Sequence, residues 1–351
     1  MLTIEELLQE AKRKGASDVH ITVGIPPKLR INGELINMAF DKLHPEDTYG
    51  IIRPMLTEHA KQILEEKGEV DFSYSIVGLG RYRVNVFKQR GSYAAAIRLV
   101  GTVIPSPKTL GIPPSVVELT KKKRGLVLVT GPTGSGKSTT LASLVDVINT
   151  NSNAHIITLE DPIEYLHHHK QSIVNQREIG LDTNTYSNAL RAALREDPDV
   201  ILLGEMRDLD TISIAITAAE TGHLVLSTLH TIGAANTIDR IIDVFPPHQQ
   251  QQIRIQLASV LEAIISQQLI PTIDGNGRAA AFEVMHTNAA IRNLIREAKA
   301  FQINSIMQMN KKVGMQTMDD AIFQLFLQNK IDAKNALNFA QDPATLEKKL
   351  F

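Results

Sequence analysis

The sequence predicts an α/β protein in which a parallel, doubly wound sheet follows a smaller α+β domain. Three observations support this fold class. From residue 125 onward, apolar strand patterns alternate with amphipathic helical patterns, as in a parallel sheet covered by helices on both faces. Before residue 100, several strand patterns follow one another with short turns, which is typical of an antiparallel sheet. The stretch 101–115, rich in proline and glycine, separates the two regions.

Composition limits the possible classes of function. The chain has 351 residues, 43% of them hydrophobic, enough for a large core divided over two or three domains. The formal net charge is −1, so no global positive field attracts nucleic acid or anionic lipid. Cysteine is absent, which excludes disulfides and cysteine-ligated zinc and suits a reducing cytosol. The N-terminus lacks a signal-peptide pattern and no apolar run reaches about 18 residues, so we expect any membrane role to come through a partner.

The first region is predicted to be a small domain with an antiparallel sheet. Apolar residues at helical spacing indicate helices at 3–14 and 45–67. Alternating patterns indicate a strand at 16–23 and a hairpin at 28–35 that turns at Asn32-Gly33. Three further strand patterns lie at 70–76, 81–86 and 93–99.

The second region is predicted to alternate strands and helices and then to become helical. Strand patterns lie at 125–130, 154–159, 199–204 and 223–228, and helical patterns lie at 137–150, 185–196 and 209–221. Residues 234–270 are predicted to be helical, a hairpin at 273–284 is predicted to turn at Asn276-Gly277, and 288–351 are again predicted to be helical. The predicted domains are therefore 1–100, a linker at 101–115, a core at 116–270 and a C-terminal helical region at 271–351.

The strand at 125–130 runs into a glycine-rich loop with the spacing G-x-x-x-x-G-K-S, and a helical pattern follows at once. Glycines let backbone N–H groups turn inward around phosphate oxygens, and the helix N-terminus adds partial positive charge. The pattern predicts a nucleoside triphosphate site of the P-loop type, with Lys137 at the β- and γ-phosphates and Ser138 at Mg²⁺. A turn that binds nothing would leave Lys137 unexplained. The predicted nucleotide-binding residues are Gly131, Pro132, Thr133, Gly134, Ser135, Gly136, Lys137, Ser138 and Thr139.

Carboxylates follow two further strand patterns. Residues 160–164 hold three acids, Glu160, Asp161 and Glu164, and a carboxylate near the phosphates can orient or deprotonate a water molecule. The alternative is that Glu160 and Asp161 cap a turn. The apolar strand at 200–203 ends at Gly204, where an aspartate often stands, so Glu205 is the first acid and the predicted partner of Mg²⁺ and its waters.

A histidine and several arginines complete the candidate site. His230, after the strand pattern at 223–228, is predicted to hydrogen-bond the γ-phosphate, although it could instead be structural. Arginine at the γ-phosphate also assists phosphoryl transfer, but the sequence does not rank the candidates. They are Arg81, Arg83 and Arg98 in the first domain, and Arg195, Arg207 and Arg240 in the core.

Two other charged or metal-binding patterns have plain interpretations. Residues 167–169 are three consecutive histidines. Their side chains are expected to point in different directions on a helix or strand, which argues against their binding one metal ion together. The basic run 121–124 indicates a solvated helix end rather than a nucleic-acid patch, because no aromatic residues accompany it.

The order of these motifs resembles the secretion ATPase superfamily, the motors of type II secretion, type IV pili and type IV secretion. The motifs are the phosphate loop, EDPIE at 160–164, LGEMRD at 203–208 and TLHT at 228–231. Within the superfamily, ASDVHI at 16–21, AIRNLIRE at 290–297 and GMQTMD at 314–319 resemble the retraction, or twitching motility, ATPases of type IV pili.

The resemblance implies a PAS-like N-terminal domain, a RecA-like P-loop ATPase core with ATP and Mg²⁺ at the cleft between the two domains, and a homohexameric ring. It also implies that the ring works on an inner-membrane pilus platform protein, in the cytoplasm at the inner face of the cytoplasmic membrane, with an accessory retraction ATPase as a further partner. Carried over by motif, Glu164 matches the catalytic glutamate and Glu205 the acid at the metal. His230 matches the γ-phosphate sensor, and Arg83 and Arg98 match arginines that reach the nucleotide.

The resemblance leaves three functional alternatives open. They are an accessory retraction motor, a protein- or DNA-translocating ATPase of the same superfamily, and a non-catalytic assembly protein with a relic nucleotide site, against which the presence of Lys137, Glu164 and Glu205 argues. It also leaves open whether Glu164 or Glu205 is the general base. The segment 290–297 lies far along the chain from every phosphate element, so we expect it to transmit or regulate, with Arg292, Arg296 and Glu297 as its informative positions.

Overall fold

The computed structural model describes residues 2–31, 33–101, 103–275 and 277–350. They form two compact units, Met1–Val103 with Pro162–Leu166, and Ile104–Asp161 with His167–Phe351. The turns predicted at Asn32-Gly33 and Asn276-Gly277 each include a residue outside the described part of the chain. In the described residues, no helix is both long and apolar enough to cross a membrane.

The smaller unit contains a six-stranded antiparallel sheet in the order β3-β2-β1-β6-β5-β4, as its alternating patterns predict. Helices pack their apolar side chains onto the sheet, and Leu7, Val84 and Ile97 are fully buried between the layers. The elements are α1 (Ile4–Arg13), β1 (Asp18–Ile21), β2 (Lys28–Ile31), β3 (Glu34–Asn37), α2 (Pro45–Ile52), α3 (Glu58–Lys67), β4 (Glu69–Ile76), β5 (Gly80–Gln89) and β6 (Ser92–Leu99).

The single helix predicted at 45–67 is broken into two. A 3₁₀ turn, Arg53–Met55, follows α2, and Leu56 and Thr57 are extended. Thr57 then caps a new helix, since its side chain accepts a hydrogen bond from the backbone N–H of Ala60. The apolar spacing continues across the break, which is why periodicity alone did not reveal it.

The larger unit contains a seven-stranded sheet in the order β13-β12-β7-β11-β10-β8-β9. All neighbouring strands are parallel except β12 and β13, which form an antiparallel hairpin. The elements are α4 (Pro107–Leu110), α5 (Pro114–Val117), β7 (Gly125–Thr130), α6 (Lys137–Asn151), β8 (His155–Glu160), β9 (Ile173–Glu178), α7 (Tyr186–Ala193), β10 (Val200–Leu203), α8 (Leu209–Glu220), β11 (Leu224–Leu229), α9 (Ala234–Asp243), α10 (Pro247–Val260), β12 (Leu261–Pro271), β13 (Arg278–His286), α11 (Ala289–Arg296), α12 (Ile303–Met309), α13 (Met318–Leu327), α14 (Ala333–Phe339) and α15 (Pro343–Leu350).

The centre of this sheet positions the phosphate loop. All six residues of β7 are buried, because β11 and β12 flank it and helices cover both faces. Burying each large aliphatic side chain, such as Leu126 or Leu128, contributes about 1.5–3 kcal/mol. The strand therefore gives the loop that follows it a rigid support.

The helix predicted through residue 270 is wrong from Leu261 onward, where β12 begins. Its residues are buried on both faces, so they form a continuous apolar run that periodicity does not distinguish from a buried helix. Pairing with β7 and β13 decides the conformation. The region 271–351 consequently opens with strand residues of the main sheet and is not purely helical. The polar strand β9, at the sheet edge, was also not predicted.

Candidate active site

The phosphate loop connects β7 to α6 and needs glycine at three positions. Gly131, Gly134 and Gly136 have φ angles of 142°, 79° and 89°, in the region that favours glycine. A Cβ atom at Gly131 would lie 2.2 Å from the backbone oxygen of Gln267 on β12. Backbone geometry therefore favours glycine at all three positions, and the backbone of β12 also leaves no room for a Cβ atom at Gly131.

Lys137 folds back over this loop. Its Nζ atom donates hydrogen bonds to the carbonyl oxygens of Gly131, at 2.8 Å, and Pro132, at 3.0 Å, and the residue is only 8% exposed. Inside the same loop, the buried Ser135 Oγ has no hydrogen-bond partner in the described part of the chain. A buried ammonium and an orphaned hydroxyl fit a ligand with anionic oxygens, as the motif predicts.

The ends of three neighbouring strands bring Lys137, His230 and Glu205 together. His230 follows β11, which lies between β7 and β10 in the sheet. Its Nδ1 atom lies 3.4 Å from Lys137 Nζ, and its Nε2 atom lies 3.2 Å from Glu205 Oε1. Arg207 Nε donates to the other carboxylate oxygen at 2.8 Å. The four side chains form a continuous polar chain.

This chain fixes the tautomer of a neutral His230. The ammonium of Lys137 can only donate, so Nδ1 must accept, and the proton lies on Nε2, from which it donates to Glu205. Any anion that draws Lys137 away from His230 would also change the partner of the imidazole. The geometry therefore suits a sensor of phosphate occupancy.

A steric restriction explains why residue 204 is a glycine and not the aspartate that often stands at this position. A Cβ atom there would lie 2.8 Å from the hydroxyl of Tyr186 and 3.2 Å from the backbone oxygen of Leu159. Burial raises the pKa of Tyr186, so it stays a neutral phenol beside the acids of this edge. An aspartate does not fit at residue 204, and Glu205 is left as the first acid.

The three acids of 160–164 have different surroundings. Glu160 Oε1 accepts from Thr158 Oγ1 at 2.6 Å and from Gln176 Nε2 at 3.1 Å, which gives it a structural role within the sheet. Asp161 is exposed. Glu164 belongs to the smaller unit, because that unit includes Pro162–Leu166.

Within the smaller unit, Glu164 lines a cavity of about 240 Å³ together with Arg83 and Arg98. The two arginines lie directly opposite each other on β5 and β6, and Asp18 lies opposite Arg98 on β1. Arg98 Nε donates to Asp18 Oδ1 at 2.9 Å, and Arg30, opposite Asp18 on β2, lies 4.0 Å from Oδ2, so three guanidinium groups and one carboxylate share this row. The excess of guanidinium groups over carboxylates on this row suits an anionic ligand.

Of the three core arginines that the sequence offered, Arg207 contacts the site acid as described above. Arg195 Nη1 instead donates to the backbone oxygen of Arg191, within its own helical segment. Arg240 is exposed on α9.

Two functional candidates lie on β12 and β13, outside every motif. Gln267 Oε1 accepts a hydrogen bond from Thr140 Oγ1, at 2.7 Å, in the first turns of α6. Glu283 is fully buried and accepts from the backbone N–H groups of Ala234, at 2.7 Å, and Met318, at 3.3 Å. Burial raises the pKa of Glu283. Only the three-dimensional pairing of distant segments identifies both residues.

The segment 290–297 proves partly structural. Its two isoleucines are buried in α11, and the Arg292 guanidinium donates to the carbonyl oxygens of Ala258 and Ser259 at the end of α10. Arg292 Nη2 also lies 3.5 Å from Glu262 at the start of β12. Arg296 is exposed.

Several side chains of the histidine run 167–169 and of the basic run 121–124 have partners or are partly buried. His167 is largely buried, which lowers its pKa to about 4, and His169 Nδ1 accepts from the backbone N–H of Val174. Among the described residues, no group of three or more His, Asp or Glu side chains is placed to hold a metal ion. Lys121 and Lys122 form ion pairs with Glu118 and Glu262.

Comparisons with known proteins agree with this geometry. The family described as Type II/IV secretion system protein matches residues 113–337. The "Type IV pilus retractation ATPase PilT" of Pseudomonas aeruginosa is 45% identical over 97% of this chain and 99% of its own length. The "Type IV pilus ATPase PilU" of the same organism is 41% identical over 97% of this chain and 89% of its own.

A solved structure is also similar over nearly the whole chain. The crystal structure of the pilus retraction motor PilT with bound ADP has a TM-score of 0.93 and 53% identity, covering 99% of this chain and 100% of that one. The fold, the site and these relatives lead to one assignment. The chain belongs to the Type II/IV secretion system protein family.

Proposed function

We propose that this chain is an ATP-hydrolysing motor that powers type IV pilus retraction and twitching motility. The observation that carries the proposal is the similarity to the pilus retraction ATPase over nearly the whole chain, in a protein that has Lys137, Glu205 and His230 in contact. By the same similarity, six copies form a ring that works on an inner-membrane platform protein, on the cytoplasmic side at the pilus base.

In this proposal the phosphate loop binds ATP through residues 131–139. Lys137 exchanges two neutral backbone carbonyl acceptors for phosphate oxygens, and the exchange is favourable because the ammonium attracts an anionic oxygen more strongly than a neutral one. When Lys137 turns to the phosphates, His230 loses its donor and can respond to the γ-phosphate. Glu205, the next side chain after His230 in the polar chain, receives the signal through His230 Nε2.

Glu164 is the proposed general base, and Arg83 and Arg98 supply positive charge to the terminal phosphate during turnover. Glu164 is exposed and lines a cavity with both arginines, whereas Glu205 already accepts hydrogen bonds from Arg207 and His230. A carboxylate that water can reach is placed to accept a proton from it. The assignment of the base to Glu164 rests on its place in the 160–164 motif and on its exposed position beside the two arginines.

Magnesium would be held by the Ser138 hydroxyl and, through water, by the Glu205 carboxylate. Both are hard oxygen donors, which suit an ion that keeps its waters and phosphate ligands. When bound, Mg²⁺ neutralises charge that develops on the phosphate oxygens.

The proposal is tested by retraction of pili in a strain that lacks its retraction ATPase and carries this chain. We expect the wild-type chain to restore twitching, and Lys137→Ala to abolish both twitching and ATP hydrolysis. ATP hydrolysis without retraction in the complemented strain would count against the motor assignment. It would favour another member of the superfamily.

An accessory retraction motor is the second candidate, because the PilU relative is 41% identical over a similar share of the chain. The two functions separate in a strain that lacks both ATPases. A primary motor restores retraction there by itself. An accessory motor restores it only when a primary retraction ATPase is also present.

A further inference from the structure

The strand β12 continues past the end of β7 and runs alongside the phosphate loop. The two strands are parallel, with Ser266 opposite Thr130, the last residue of β7. The next residue, Gln267, therefore lies beside Gly131, where the loop begins. It is 3% exposed and forms part of no sequence motif.

Gln267 touches the loop at both ends. A Cβ atom added at Gly131 would lie 2.2 Å from the backbone oxygen of Gln267. A Cβ atom added at Gly136 would lie 2.9 Å from its side-chain Nε2 atom. Its Oε1 atom accepts the hydrogen bond from Thr140, whose side chain is 1% exposed. One residue thus contacts the first glycine of the loop, the glycine before Lys137, and the helix that follows.

The neighbouring residue, Gln268, has the same chemistry and a different partner. It is 8% exposed, and its Nε2 atom donates to the backbone oxygen of Phe339, at 3.3 Å, at the end of α14. Successive strand residues point to opposite faces, so Gln268 faces away from the phosphate loop. The chain therefore contains a matched pair of buried glutamines, of which one contacts the loop.

We propose that Gln267 is a positioning residue for the phosphate loop, and that it sets the affinity for ATP. A loop held in the binding conformation before ATP arrives loses less conformational entropy on binding. Without the Gln267 amide, the buried Thr140 hydroxyl loses its acceptor, and the loop loses the side chain packed against Gly136. The inference deepens the proposed function, on which it rests, because it concerns ATP binding at the same loop.

The test measures nucleotide affinity in the purified full-length protein. Fluorescent mant-ATP is titrated with Mg²⁺ against wild type, Gln267→Ala, Gln267→Met and the matched control Gln268→Ala. Gln267→Met keeps side-chain volume and removes the hydrogen bond. Thermal melting without nucleotide establishes that each variant is folded, and steady-state ATP hydrolysis gives KM and kcat separately.

We expect both Gln267 variants to weaken mant-ATP binding roughly tenfold, the size expected for losing one hydrogen bond that satisfies a buried group. KM for ATP should rise by a similar factor, with a much smaller change in kcat, and Gln268→Ala should match the wild type in both. Combining Thr140→Val with Gln267→Ala should weaken binding no further than Gln267→Ala alone, because both remove the same hydrogen bond.

Two results would overturn the inference. One is wild-type affinity in the folded Gln267 variants. The other is an equal loss in Gln267→Ala and Gln268→Ala, which would indicate general destabilisation. If the wild type bound mant-ATP no better than Lys137→Ala, the proposed function itself would fail, and the inference with it. These outcomes are distinguishable because the wild type and Lys137→Ala are measured in the same titration.

Discussion

Arg292 and Arg296, four residues apart on α11, should respond differently to alanine substitution. The Arg292 guanidinium donates to two backbone carbonyls at the end of α10, so it acts as a cap for that helix and anchors the start of β12. Arg296 is exposed. The sequence predicts that the segment 290–297 transmits or regulates; the contacts of Arg292 also give that residue a structural role, and transmission by Arg296 stays a prediction.

The cost of Arg292→Ala can be worked from these contacts. Each hydrogen bond from a charged group to a carbonyl contributes about 1.5–3 kcal/mol, and the side chain is 26% exposed, so water replaces part of the loss. Glu262 keeps Lys122 as an ion-pair partner at 2.9 Å, so no buried charge is left alone. We expect a loss of about 3 kcal/mol, which lowers Tm by roughly 6–12 °C in a domain of this size.

The assay compares thermal melting, ATP hydrolysis and twitching for Arg292→Ala, Arg292→Lys and Arg296→Ala. Arg292→Ala should lower Tm and reduce hydrolysis, since β12 supports the phosphate loop, and Arg292→Lys should recover part of the stability. Arg296→Ala should change stability by no more than about 0.5 kcal/mol and leave hydrolysis intact while twitching falls. An unchanged Tm in Arg292→Ala, or equal losses in the two alanine variants, would refute the assignment of Arg292 to the helix end.

Three other predictions follow from the site and its surroundings. Glu164→Gln should keep mant-ATP binding and lower kcat by about 10²–10⁴-fold, as expected for a lost general base, and undiminished turnover would move that role to Glu205. Because burial lowers the pKa of His167 to about 4, the unfolded chain takes up a proton before the folded one as pH falls below 6.5. In urea unfolding measured as a function of pH, the wild type should therefore lose up to about 3 kcal/mol of stability between pH 6.5 and pH 4. The variant His167→Gln should lose less stability over this range. The control His168→Gln, changed at an exposed position, should behave like the wild type. Gly204→Ala should lower the free energy of unfolding by about 1–3 kcal/mol because its Cβ atom crowds the Tyr186 hydroxyl. Adding Tyr186→Phe should restore part of this stability. An unchanged loss in the double variant would exclude the clash with that hydroxyl.

Local sequence patterns predict the elements that local forces determine. The phosphate loop, the strands of the parallel sheet near it and the helices after them follow from apolar periodicity and from glycine at left-handed positions. The six-stranded antiparallel sheet follows from alternation and short turns in the same way. The site residues Lys137, Glu205 and His230 could be placed together because the carboxyl ends of adjacent parallel strands meet at one edge.

The errors lie where pairing between distant segments decides the conformation. The apolar run after Leu261 fits a helix as well as a strand, and only its neighbours β7 and β13 make it a strand. Strands β12 and β13 also carry Gln267 and Glu283, whose roles do not follow from local sequence patterns. A glutamine or a glutamate has no local signature, since its role depends on which backbone groups come within hydrogen-bonding distance.

The proposed catalytic residues also divide between the two units. Lys137, Glu205 and His230 belong to the larger unit, and Glu164 belongs with Arg83 to the smaller one. If each group has the role proposed for it, the larger unit determines affinity and the smaller unit contributes to the chemical step. Substitutions such as Gln267→Ala should then act mainly on KM, and substitutions such as Glu164→Gln mainly on kcat. A variant of the smaller unit that changed affinity alone would argue against this division.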